Sequence, residues 1–268
     1  MAKLLDIVAR SLGRIALAAI VIVILAPVVV VLLISFSDQV RFAFPPEGFG
    51  WRQYQELFRD PVWMKSIGLS LSLALPATLL AVAVALPVSL IAQRSKLPGR
   101  NLLQGTAVAS IIIPTTALAV GLFTLYSRLG LTSTNLGLIV AQAVLALPIV
   151  LIGITAGLSK ISRTPEFAAM TMGASLTRAL LEITGRALLP AIVASAIMGF
   201  LHAFDEVVIV NFVGGPGQVT LPKAILDSVQ NQTDPVITAA ASLLMIGSAL
   251  LMAIAAIVGR IASRRRRG

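Results

Sequence analysis

The sequence predicts an all-α, polytopic membrane protein with six spanning helices. Three observations carry that prediction. Hydrophobic residues make up 57% of the 268 and charged residues only 12%. Apolar runs recur at the ~20-residue length that crosses about 30 Å of hydrocarbon. Lys and Arg collect in alternate connections between those runs. A soluble globular reading fails on composition alone. No cysteine is present and the single histidine is His202, so disulfides, thiolate metal sites, cysteine nucleophiles and any centre needing two imidazoles are excluded.

Spans are expected near Ile15–Ile34, Ile67–Gln93, Leu103–Tyr126, Leu136–Leu158, Pro190–Phe212 and Val236–Val258, forming a single transmembrane domain over 1–268. The first run is long enough to span and lacks a small-x-small cleavage site, so it is expected to stay as a helix. After it, Ser37–Lys65 reads as a loop: FPPEGFG turns the chain, and WRQYQELFRDPVW holds a short surface helix ending before Pro61. Trp51, Tyr54 and Trp63 suit a half-wet interface. RSKLPGR is a tight turn between the second and third spans. Pro27, Pro76, Pro87, Pro114 and Pro148 fall inside spans, where each removes a backbone donor and favours a kink.

The charge pattern fixes an expected orientation. Lys3, Arg10, Arg14, Arg94, Lys96, Arg100, Lys160, Arg163, Arg178, Arg186, Arg260 and Arg264–Arg267 fall on one side, which places both termini in the cytoplasm. The net charge of +10 follows from this bias. The terminal RRRR directly follows a span, so it reads as a stop-transfer and anionic-lipid anchor and not as a nucleic-acid arm.

The loop 159–189 between spans four and five is the most polar and most locally encoded stretch on that side. Thr164 is positioned to cap a helix that begins with Pro165, which needs no donor, and Glu166, whose carboxylate meets the positive helix end. The helix is expected to run to Met172 and stop at Gly173 in the left-handed conformation. Phe167, Met170 and Met172 form an apolar ridge, while Ala168 and Ala169 permit close backbone approach. A second helical run, Leu176–Ile183, leads back to the membrane.

At these residues the chain resembles the permease subunits of binding-protein-dependent ABC importers. Their signature reads Glu-Ala-Ala, three residues, Gly, nine residues, Ile, one residue, Leu-Pro. Ala168, Ala169, Gly173 and Ile183 fall in register. Phe167 stands where the Glu is expected, with Glu166 one position earlier, and Gly185-Arg186 replace Leu-Pro. The runs AFDEVVIVNFVGG and VTLPKAILDSVQNQTDPVITAAASLL, with WRQYQELFRDPVW upstream, resemble the branch that imports polyamines and related organic solutes.

The resemblance implies a type I importer permease fold, with a coupling helix between spans four and five. Pro165, Glu166, Phe167, Ala168, Ala169, Met170 and Gly173 would dock an ATP-hydrolysing subunit. It implies two such ATPase subunits, which use ATP and Mg, a second permease half expected to be a different chain, an external solute-binding protein and a bacterial-type inner membrane. This chain has no G-x-x-x-x-G-K-[ST] phosphate loop. It is therefore expected to hold no cofactor or metal, to have no catalytic residue and to bind no nucleic acid.

Asp205 and Glu206, with His202 one turn earlier, are the candidate groups along the translocation route, because ionisable side chains at membrane depth are costly unless they face protein or water. A cationic solute such as a polyamine fits them; pairing with a neighbouring helix is the competing role. Two other functions stand as alternatives, a stand-alone secondary transporter or channel and a membrane-embedded hydrolase using His202, Asp205 and Glu206. Co-purifying ATPase subunits would separate the importer from both.

Overall fold

The computed structural model describes residues 2–39, 44–95, 98, 99, 102, 105, 109–231 and 235–264, with side chains described over the same stretches except 2–11, 110 and 261–264. The described chain is helical. Its elements are α1 (Ala2–Ser35), α2 (Arg52–Arg59), α3 (Pro61–Arg94), α4 (Thr115–Leu129), α5 (Asn135–Ser159), α6 (Thr164–Thr171), α7 (Leu176–Ala179), α8 (Arg186–Phe204), α9 (Val208–Val213), α10 (Leu221–Asn231) and α11 (Val236–Arg264). A π-helical turn, Leu180–Gly185, joins α7 to α8.

Five helices among the described residues are long and apolar enough to cross a membrane: Leu12–Ser35, Pro61–Arg94, Asn135–Ser159, Leu176–Phe204 and Val236–Arg260. The expected third span, 103–126, falls partly outside the described residues, as does the RRRR run at 264–267. Within that span, Ser110–Ile112 form a 3₁₀ turn and α4 begins after Pro114, which occupies the N-cap. Pro114 thus starts a helix instead of kinking one, as its fixed φ and missing N–H favour.

The helix that holds the expected fifth span, 190–212, does not share its bounds. It starts at Leu176, because the π turn carries the helix through Gly185-Arg186 without a break. It stops at Phe204. There the Glu206 carboxylate accepts the Ile209 N–H at 3.0 Å and caps a separate short helix, α9.

The chain forms two compact units, Met1–Met64 with Ile225–Ile246, and Lys65–Ala224 with Gly247–Gly268. In the first, α1 ends in a small aromatic cluster in which the Phe36 ring lies 5.1 Å from both Trp51 and Tyr54. The Tyr54 hydroxyl bridges Ser35 Oγ (2.9 Å) and Ser242 Oγ (2.6 Å), tying α1, α2 and α11 together. Tyr54 is therefore a hydrogen-bonded rivet as well as an aromatic ring, and Trp63 is buried. Asp60 closes the gap after α2: its carboxylate accepts the Val62 N–H at 2.7 Å in the first turn of α3.

The second unit is built on small residues. Ala74, Ala77, Ala81 and Ala85 repeat at helical spacing along α3 and are buried with Ala146, Val150, Ile154 and Leu158 of α5 and Leu188 of α8. Lipid tails are as apolar as leucine, so close packing and interhelical hydrogen bonds, not exclusion from water, hold such helices. The closest approach is between α5 and α8. A Cβ placed on Gly157 would lie 2.3 Å from Ala191 Cβ, and one on Gly199 2.5 Å from Val150 Cγ2. Polar ties join α3 to α5, with the Ser89 and Thr155 hydroxyls 3.0 Å apart and Gln93 Nε2 donating to the Thr155 carbonyl at 2.8 Å.

Candidate functional site

The short helix α6 follows from local sequence. Ser162 Oγ accepts the Thr164 N–H at 3.2 Å and meets the Thr164 hydroxyl at 3.0 Å, so Ser162 and not Thr164 organises the entry. The helix begins one residue earlier than expected, at Thr164, with Arg163 at the N-cap and Pro165 in the first turn. It ends at Thr171, one residue short of the expected Met172, and Gly173 takes the expected left-handed conformation with φ +92°. The Gly173 N–H donates to the Met170 carbonyl and the Ala174 N–H to the Ala169 carbonyl, each at 3.0 Å. That paired closure satisfies two otherwise orphaned carbonyls and requires the left-handed residue.

Among the described residues of α6, Glu166 is the one that is buried, at 5% exposure. Its carboxylate is therefore enclosed by the chain, unlike the exposed Phe167 and Met170 of the expected docking set. It accepts the Thr184 hydroxyl at 2.6 Å, and Arg94 Nε stands 3.1 Å from the same Oε1. The Nε–H is not aligned for a hydrogen bond, so that contact is an ion pair. Arg94 Nη2 donates instead to the Ile161 carbonyl at 2.9 Å. Removing one partner of a pair this enclosed leaves an uncompensated charge, at a cost of ~3–5 kcal/mol.

The other side chains of α6 are open or half-open. Phe167 (59%), Met170 (39%) and Met172 (88%) are exposed, and Ala168 is open beside them. A cavity of about 230 Å³ runs along α6, lined by Leu90, Arg94, Arg163, Phe167, Met170 and Leu176 among others. The helix thus exposes Phe167, Met170 and Met172 and is fastened inward by charge and hydrogen bonds.

The second candidate cluster separates. Asp205 sits at the end of α8 with its side chain exposed, whereas Glu206 is 8% exposed and engaged with the Ile209 N–H. His202 is half-buried in the last turn of α8. Of the three, Asp205 offers an open carboxylate, and Glu206 acts as a helix cap.

Sequence reasoning missed Arg94, Thr184, Ser162 and Gln142. Arg94 counted only as a loop cation. Thr184 reaches Glu166 through the π turn, which no periodicity announces. Gln142 is a polar residue in an apolar run, 2% exposed, with an Oε1 that finds no hydrogen-bond partner among the described residues.

Comparison with known proteins gives these features a context. The putrescine transport system permease protein PotI of Escherichia coli K12 is 28% identical over 227 residues, covering 82% of this chain and 80% of that protein. The spermidine/putrescine transport system permease protein PotC of Haemophilus influenzae is 25% identical over 234 residues, 87% of this chain and 91% of that one. A trehalose transport system permease, SugB of Mycobacterium tuberculosis, is 26% identical over 67% of this chain and 66% of its own length. In fold, the chain is similar to a bacterial ABC transporter involved in import of the acidic polysaccharide alginate, with TM-score 0.72 and 13% identity, covering 93% of this chain and 95% of that one. Residues 85–268, the stretch holding the α6 socket and the α8–α9 break, match the family described as binding-protein-dependent transport system inner membrane component, and the chain belongs to that family: it is an ABC importer permease subunit.

Proposed function

We propose that this chain crosses the membrane six times, with both termini cytoplasmic, forms half of the translocation pathway, and is driven through α6 by a separate ATP-hydrolysing subunit. The observation that carries this is a contrast within α6. Phe167, Met170 and Met172 stand exposed among the described residues, while its buried carboxylate fixes the helix to the spans. A rod that is loose toward solvent and tight toward the membrane suits a part that receives force from a partner and passes it on. Two ATPases using ATP and Mg, a second permease half and an external binding protein complete the proposed assembly.

For the solute we propose a small organic cation of the polyamine type. PotI and PotC support this by their names, SugB shows that relatives also serve a sugar, and the open Asp205 carboxylate favours the cation. The test uses the chain expressed together with the proposed partner subunits. Tagged chain is expected to co-purify ATPase subunits, and Ala169→Glu to abolish uptake of radiolabelled putrescine while membrane insertion persists. Assembly with no ATPase, or wild-type uptake by the variant, refutes the importer reading. Uptake by the intact system of a different solute in place of putrescine refutes only the polyamine assignment.

A further inference from the structure

Three separate stretches of chain converge on one carboxylate oxygen. Arg94 is the last residue of α3, Glu166 lies in the first turn of α6, and Thr184 lies in the π turn leading into α8. Through its other guanidinium nitrogen, Arg94 also holds the Ile161 carbonyl in the approach to α6. The chain itself connects α6 only to α5 before it and to α7 and α8 after it. The Glu166–Arg94 contact adds a helix that is remote in sequence.

Resting on the importer reading above, we infer that Arg94 and Glu166 are positioning residues that relay displacement of α6 to α3, giving the coupling helix a second output besides the covalent one into α8. The argument is mechanical. Except for Glu166, every side chain of α6 is exposed or half-buried, so apolar packing grips the helix weakly from within. The grip is an ion pair at 3.1 Å and a hydroxyl hydrogen bond at 2.6 Å, both short, on side chains only 7–11% exposed for the charged pair. Such a tie has few alternative geometries, because any shift that parts the charges leaves them buried and unmatched. α3 therefore follows α6. The π turn has a definite part in this, since Thr184 bonds the same oxygen from within it and ties the exit helix to the strut.

The test exploits the absence of cysteine. Spin labels are placed on exposed positions of the purified full importer, in the pairs Leu79 with Leu125 (α3 to α4) and Met198 with Leu125 (α8 to α4). Distances are compared without nucleotide and with ATP trapped by vanadate. In the otherwise unchanged chain, trapping is expected to shift both distances. Arg94→Gln and Glu166→Gln are expected to lose the α3 shift and keep the α8 shift, with ATPase subunits still bound. The exchange Arg94→Glu with Glu166→Arg is expected to restore the α3 shift. Thr184→Val, which keeps side-chain shape, is expected to reduce the shift and serves if the charge variants do not assemble. An α3 shift that survives these changes, or one lost together with the α8 shift, overturns the relay. Failure of ATPase subunits to bind the unlabelled wild-type chain would instead overturn the importer reading itself.

Discussion

Adjacent carboxylates at Asp205 and Glu206 have different fates because the backbone breaks between α8 and α9. Glu206 spends its charge on the Ile209 N–H, while the Asp205 side chain remains exposed. The two variants should therefore separate cleanly. Asp205→Asn removes a charge that would meet a cationic solute, a contact worth ~1.5–3 kcal/mol, so the apparent KM for putrescine uptake is expected to rise by about ten- to hundredfold, with expression unchanged. Glu206→Gln keeps a carbonyl that can accept the same N–H and should leave uptake near wild type. Glu206→Ala loses the cap and should lower thermal stability in detergent by ~1 kcal/mol. Transport kinetics and melting curves on the three variants check this, and a strong uptake defect in Glu206→Gln with none in Asp205→Asn would reverse the assignment.

At the scale of elements, the α5–α8 contact is set by residues with almost no side chain. Gly157 faces Ala191 so closely that an added Cβ would lie 2.3 Å from the Ala191 Cβ, which has no rotamer to yield. Gly157→Ala must push the helices apart, and overpacking of this kind costs ~1–3 kcal/mol. Ala191→Gly in the same chain should recover most of the loss, and a double-mutant cycle on melting temperature reads that coupling. Additive effects would mean that the two helices do not meet there. The same scale shows what the sequence could reveal. Pro165 and Gly173 announce the start and stop of α6 because a missing donor and a positive φ are properties of single residues. The π turn at Leu180–Gly185 is not announced. One extra residue per turn leaves no mark in composition, and Gly185-Arg186 read equally well as a break. The Glu166 socket was hidden for a related reason: Arg94 and Thr184 lie far from Glu166 along the chain, and only tertiary packing brings them together.

Across the whole molecule, apolar composition and run length made the membrane class and most of the spans legible, since crossing hydrocarbon leaves a helix few options. The direction in which the chain threads the membrane rests on Lys and Arg bias alone, and it carries the proposed mechanism, because α6 reaches a nucleotide-driven partner only from the cytoplasm. The cysteine-free sequence makes that orientation directly measurable. Met172, 88% exposed beside α6, and Trp51, 63% exposed before α2, lie on opposite sides in the proposed topology. In intact spheroplasts, Trp51→Cys is expected to react with a membrane-impermeant maleimide and Met172→Cys to stay unlabelled. In inverted vesicles the pattern should exchange. Met172→Cys should then become protected again when ATPase subunits are present, because its side chain extends the apolar ridge they are proposed to cover. Labelling of Met172→Cys from outside would invert the topology and remove α6 from any ATP-driven partner. Labelling from inside without protection would keep the topology and place the docking contact elsewhere on the chain.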